Sequence, residues 1–186
     1  MAVQLARRPF TAAEYHRLIE AGILTEDDRV ELLDGEIIQM APIGPRHAAC
    51  VNRLTDLLSN KVRKIAMVSV QNPIQLSEYS EPQPDIALVK RRPDFYAQAH
   101  PAPADVLVAI EVADTTVEGD RQVKIPAYAR AGIAEAWLVD LASDRIEIHT
   151  QPAGGIYQEV RFFLRGQRVA SRSIPQLKLK ADDILG

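Results

Sequence analysis

Three side chains in this sequence have the types and setting needed to hydrolyse a phosphodiester: Asp85, Glu111 and Lys124. Each acid lies in an apolar run, Pro84-Asp85-Ile86-Ala87-Leu88-Val89 and Ala109-Ile110-Glu111-Val112-Ala113. A buried strand tolerates a carboxylate only if it is paired, protonated or bound to a cation, because desolvation of a lone charge is costly. Hard divalent cations held by carboxylates acidify a bound water and neutralise phosphate oxygens. Mg2+, or Mn2+ in its place, keeps several waters, so Asp85, Glu111 and the backbone carbonyl of Val112 could suffice as protein ligands. Lys124 could orient the attacking water or stabilise developing charge. Asp120, Lys124 and Tyr128 are spaced to share one helical face, so Asp120 could pair with Lys124. The competing reading makes Asp120 and Lys124 an ordinary surface pair and matches Glu111 to a buried arginine such as Arg121.

The elements that must carry these groups can be read from pattern. Thr11-Ala12-Ala13-Glu14 is a capping box, with Phe10 as its staple, for a helix running to about Ala21. Asp34-Gly35 between the apolar runs 30–33 and 36–40 marks a hairpin, because both turn positions need positive φ. Gly44-Pro45 opens a long helix to about Arg63, with His47, Val51, Leu54, Leu58 and Val62 on one stripe. Short strands are expected at 66–71, 73–76, 86–89, 106–112 and 135–140. A helix from about Gly119 to Ala131 contains Pro126 and should bend there. Strand, helix, strand over 106–140 implies a parallel pair joined by a right-handed crossover. A second hairpin pairs 145–149 with 157–163, and 182–185 forms a helical turn. This order predicts an α/β fold, a mixed sheet flanked by helices.

Two further residues are open at this level. Glu31 is either an edge-strand carboxylate in solvent or a third acid near the metal. His47, at the start of an apolar stripe, is either a hydrogen-bonded packing residue or part of the site. Lys90-Arg91-Arg92 with Phe95 and Tyr96 could grip a nucleic-acid backbone; a solvated loop packed on its own domain is the plainer expectation.

The 186 residues, 47% hydrophobic and 25% charged, suit one globular domain spanning the whole sequence, with an N-terminal helix and hairpin and a C-terminal hairpin extension. A net charge of −3 does not advertise nucleic-acid binding by the whole surface. The single cysteine, Cys50, excludes an internal disulfide and a cysteine metal cluster, and its apolar neighbours suggest a packed thiol. No leader or membrane span is recognisable, so a cytoplasmic protein with no membrane partner is expected.

An ordered set of segments resembles the Uma-two family of restriction-endonuclease-like proteins, within the PD-(D/E)XK superfamily. It comprises Glu31-Leu32-Leu33-Asp34-Gly35-Glu36-Ile37, His47, Pro84-Asp85-Ile86, Ile110-Glu111-Val112, Asp120-Arg121-Gln122-Val123-Lys124, Tyr128-Ala129-Arg130-Ala131-Gly132-Ile133 and Trp137-Leu138-Val139-Asp140. The resemblance implies the superfamily's αβββαβ core, a divalent metal at Asp85 and Glu111, Glu31 as an additional acid and His47 near the site. It implies DNA as substrate, and a second copy of the chain as a candidate partner, since cutting both strands commonly uses two sites. The superfamily's lysine normally lies two residues after the second acid, where this chain has Ala113. Lys124 looks like its migrated counterpart. Should Lys124 not reach the metal, the alternative is a catalytically silent module acting through protein interaction.

Overall fold

Asp34 and Gly35 adopt φ of 48° and 79°, and so join β1 (Val30–Leu33) to β2 (Glu36–Gln39) in the expected hairpin. The computed structural model describes residues 7–115 and 117–186. Helix α1 (Ala12–Glu20) begins at the Thr11–Glu14 capping box, with Thr11 Oγ1 accepting from the Glu14 amide at 3.2 Å. Helix α2 (Pro45–Val62) starts with proline in its first turn, where a missing amide proton costs nothing.

Six strands form the main sheet: β3 (Ala66–Val70), β4 (Ile86–Lys90), β5 (Val106–Ala113), β6 (Glu135–Asp140), β7 (Arg145–Ala153) and β8 (Ile156–Leu164), side by side in that order. Only β5 and β6 are parallel; the other neighbours are antiparallel. This is the mixed, helix-flanked sheet of the restriction-endonuclease-like fold. Strand alternation divides β5 between two cores. Val108, Ile110 and Val112 pack under Cys50, Leu54 and Leu58 of α2. Ala109 and Ala113 face the opposite side, with Ile125, Ala127 and Tyr128. Glu111 therefore lies on the second face, within that alternation. Cys50 is buried, its thiol 3.4 Å from the Ile184 carbonyl, and burial pushes its pKa up to about 11, so it packs as expected.

The structure corrects several local expectations. Residues 73–76 form no strand. Pro73 offers no amide proton, and the next three amides divide between two loops, Ile74 and Leu76 bonding Pro82 and Ser80 while Gln75 bonds Pro101. The second hairpin is longer than expected and closes at Gly154-Gly155; its β7 pairs with β6, so it extends the main sheet. A short antiparallel pair, β9 (Arg168–Ala170) with β10 (Lys178–Lys180), and helix α5 (Ala181–Leu185) complete the α2 side. Among the described residues, no helix is long and apolar enough to cross a membrane.

The bend expected at Pro126 is resolved as a π turn. Helix α3 (Val117–Gly119) leads into π-helical Asp120–Lys124, followed by α4 (Ile125–Arg130) with Pro126 in its first turn. The Ile125 amide bonds the Asp120 carbonyl, five residues back. One added residue in the turn absorbs the irregularity that proline imposes. Arg121 then pins this turn to the sheet, its Nη2 2.7 Å from Glu147 Oε1 and 3.5 Å from Asp140 Oδ2. Arg145 reaches the same Glu147 oxygen at 2.9 Å, and His149 lies 3.3 Å from the other. Arg121 thus fixes the helix three residues before Lys124 and does not pair with Glu111.

Burial alone would raise the pKa of Glu147, but hydrogen bonds from His149 and Arg121, with the charges of both arginines, overcome it and hold the group down at about 2. The folded pKa lies below the ordinary 4.5. The resulting stability is complete above that ordinary value and is lost as pH falls from there to about 2. A loss of about 3 kcal/mol over that interval is expected. Urea unfolding at stepped pH should show it, and Glu147→Gln should remove it; an unchanged acid limb in that variant would refute the assignment.

Candidate active site

The strand ends of β4 and β5 meet helix α3–α4 and hairpin β1–β2 at an open cleft of about 890 Å³. Asp85 immediately precedes β4, opposite Glu111 by continuation of the antiparallel register from Ile86↔Ile110. Its Oδ2 accepts the Val112 amide at 2.8 Å and lies 3.0 Å from His47 Nε2. A carboxylate can only accept, so His47 carries its proton on Nε2. Those two bonds fix one oxygen of Asp85. The other, Oδ1, meets only the Gln71 side-chain amide, at 3.5 Å, among the described residues. In extended backbone the amide and carbonyl of one residue point to the same side, so the Val112 carbonyl is turned toward Asp85 as well.

Glu111 is buried and held on both oxygens. The Tyr128 hydroxyl donates to Oε1, and the Lys124 ammonium lies 3.4 Å from Oε2. Lys124 also lies 3.2 Å from Glu31 Oε2 and donates to the Gln83 carbonyl at 3.1 Å. Glu31 is only 4% exposed and accepts the Gln83 amide at 2.9 Å. It is therefore no solvent-facing edge carboxylate. Asp120 lines the same cleft, and its negative charge bears on Glu111, Lys124 and His47. Lys124 is anchored by Glu31, Glu111 and Gln83, partners that helical spacing did not supply.

Burial drives the pKa of Glu111 well above the usual carboxylate range, with Asp120 and Asp85 pushing the same way; Lys124 and Tyr128 oppose them. For Lys124 burial works downward, yet the surrounding carboxylates, Glu111 and Glu31 first, win and raise it. Tyr128 is raised by burial and by Glu111, so it stays a neutral donor. For His47 the bond to Asp85 raises the pKa against the opposing effect of burial. Among the described residues, five carboxylates line the cleft (Glu31, Asp85, Glu111, Asp114 and Asp120), against two fixed cations, Arg29 and Lys124. Such a cleft attracts cations and repels a phosphate that arrives alone.

The sequence profile of the family described as "Uma2: Putative restriction endonuclease" matches residues 12–182. The chain belongs to the Uma2 family. The crystal structure of a putative nuclease belonging to DUF820 from Anabaena variabilis ATCC 29413 is similar in fold, with a TM-score of 0.76 at 19% identity, covering 95% of this chain and 98% of that one. Comparison with curated proteins gives no match.

In this Uma2 chain the structure brings Glu31, His47, Asp85, Glu111, Val112, Asp120 and Lys124 to one cleft, with Tyr128 behind Glu111. Two participants were not anticipated. Gln71 stands at the end of β3 with φ of 50°, which turns the chain toward the cleft. Gln83 contributes through its backbone, and no side-chain pattern could have revealed it. The basic segment 90–92 lies outside the cleft lining. Its two arginines are engaged locally: Arg91 donates to the Arg63 and Ala66 carbonyls, and Arg92 pairs with Asp94 and stacks over Tyr96.

Proposed function

We propose that this protein is a divalent-metal-dependent endonuclease that hydrolyses DNA phosphodiester bonds at the Asp85–Glu111 cleft. The observation that carries the reading is the position of Lys124. A helix-borne ammonium reaches the buried acid of β5 and so stands where Ala113, two residues beyond that acid, provides no lysine.

The donor set suits a hard cation. Asp85 keeps one oxygen only weakly engaged, Glu111 is a buried carboxylate that shares the Lys124 ammonium with Glu31, and the Val112 carbonyl faces the same side. Asp85, Glu111 and Val112 would hold Mg2+ or Mn2+. A bound ion of this kind supplies an acidified water and neutralises phosphate oxygens. The rest falls to the chain itself. His47 and the Val112 amide orient Asp85, and Tyr128 orients Glu111. Lys124, cationic and tethered, is placed to hold the attacking water or a non-bridging phosphate oxygen. Glu31 keeps that ammonium in place and is a further acid of the cleft that can accept a proton.

Nicking of supercoiled plasmid with Mn2+ tests the proposal. The parent should nick and Asp85→Ala should not. Stoichiometric Mn2+ binding without cleavage of any DNA would sink hydrolysis and leave the silent module.

Cleavage of both strands would be served by a homodimer. Edge strand β8 exposes Ile156, Val160, Phe162 and Leu164, an apolar row that a second copy could cover. Light scattering should give twice the chain mass, reduced to one chain mass by Phe162→Asp; a monomeric parent at high concentration would exclude this arrangement.

A further inference from the structure

A second group of metal-ligating side chains lies outside the cleft lining. His16 on α1, Glu81 ahead of β4 and His100 in the loop before β5 bring one ligand atom each within 4.8 Å of one another. We infer that His16, Glu81 and His100 form a binding site for a borderline first-row transition ion of the Zn2+ class, separate from the proposed nuclease centre.

Glu81 supplies the decisive observation. It is 3% exposed, and its Oε2 is buried with no hydrogen-bond partner among the described residues. A buried carboxylate with one oxygen unpaired is costly, and a cation against this carboxylate, which meets both histidines through Oε1, would offset its charge. Glu81 Oε1 lies 2.8 Å from His16 Nε2 and 3.9 Å from His100 Nε2. Ligand atoms around a tetrahedral zinc, at bonds of about 2.0–2.2 Å, stand roughly 3.3 Å apart. The two separations from Glu81 bracket that spacing and the third, between the imidazoles, is within 4.8 Å, so rotation of the two half-exposed histidines has to close the shell.

The three ligands are also held in register by backbone bonds to one strip of chain. The Ala12 amide at the start of α1 bonds the Glu78 carbonyl at 2.7 Å. The Gln75 amide bonds the carbonyl of Pro101, beside His100, at 2.9 Å, and the Glu81 amide bonds Leu32 at 2.8 Å. Side-chain exposures of 41% and 42% for His16 and His100 leave a solvent path for entry and for a water ligand. Two imidazoles with one carboxylate select Zn2+, Co2+ or Ni2+ over Mg2+ and Ca2+, which prefer all-oxygen shells. The bound ion would clamp α1 and the loop before β5 to the strip that backs β1. Leu32, bonded to Glu81, is the neighbour of Glu31, so the clamp lies directly behind the cleft wall.

The test uses chelator-treated full chain carrying Asp85→Asn and Glu111→Gln, so that the cleft contributes no ion. Co2+ titration should reach one equivalent with a visible absorption band, and Zn2+, unlike Mg2+, should raise the melting temperature. His16→Ala and His100→Ala, both at half-exposed positions, should each weaken Co2+ affinity by at least about tenfold. Glu81→Gln should do the same, provided its circular dichroism spectrum is native. The inference is overturned if no stoichiometric band appears, if either histidine variant binds as tightly as its parent, or if Mg2+ stabilises as well as Zn2+.

Discussion

Glu111→Gln is expected to lower metal-dependent plasmid cleavage by about 10³-fold or more while leaving the melting temperature equal to or above that of the parent. The two halves of this result have one cause. Glu111 is buried in the apolar face of β5, and burial penalises its charge at neutral pH. A neutral amide removes that penalty. Lys124 keeps Glu31 at 3.2 Å and the Gln83 carbonyl at 3.1 Å, so no ammonium is orphaned. Tyr128 retains an acceptor in the glutamine carbonyl. What disappears is the anionic oxygen that would bind the cation. Loss of one well-placed electrostatic contact costs about 10²–10³-fold in other active sites, and a lost metal ligand should cost no less. Undiminished cleavage by Glu111→Gln would remove the acid from the mechanism. A large fall in stability would show that its charge serves the fold instead.

Lys124→Met should act in the opposite way, on stability first. Removal of the ammonium leaves Glu31 and Glu111 buried side by side without their shared cation. Breaking a buried ion pair by deleting one partner typically costs about 3–5 kcal/mol. Methionine preserves most of the side chain's volume, which isolates the electrostatic part. Adding Glu111→Gln should restore much of the lost stability, with a coupling of about 1–3 kcal/mol in a double-mutant cycle read by urea unfolding. Cleavage should remain abolished in the double variant. Additive effects would mean that Lys124 and Glu111 do not share the buried pair.

The contrast between these variants explains what could be read from the chain before its fold was known. Glu111 was conspicuous because a charge interrupts seven otherwise apolar residues, and burial is the consequence. The Asp34-Gly35 turn and the Thr11–Glu14 cap were equally legible, since each is decided within four residues. The partners of Lys124 were not. Glu31 lies 93 positions away in sequence and Gln83 lies 41 away, and only the packing of the hairpin against the helix brings them together. Pro126 announced an irregular helix, but whether proline yields a kink or a π turn depends on anchoring contacts such as Arg121 to Glu147. The 73–76 segment misled because its apolar alternation is real. Ile74 and Leu76 are buried, yet among the described residues no neighbouring strand completes a ladder. His16, Glu81 and His100 carried no motif at all, being drawn from a helix, a connection and a loop.

The central claim is that a hard divalent cation sits between Asp85 and Glu111. A crystal soaked with Mn2+ and measured at the manganese absorption edge tests it most directly. The account predicts an anomalous peak within about 2.0–2.6 Å of an Asp85 oxygen, a Glu111 oxygen and the Val112 carbonyl. An empty cleft at saturating Mn2+, in crystals of protein that still cuts DNA in solution, would contradict it.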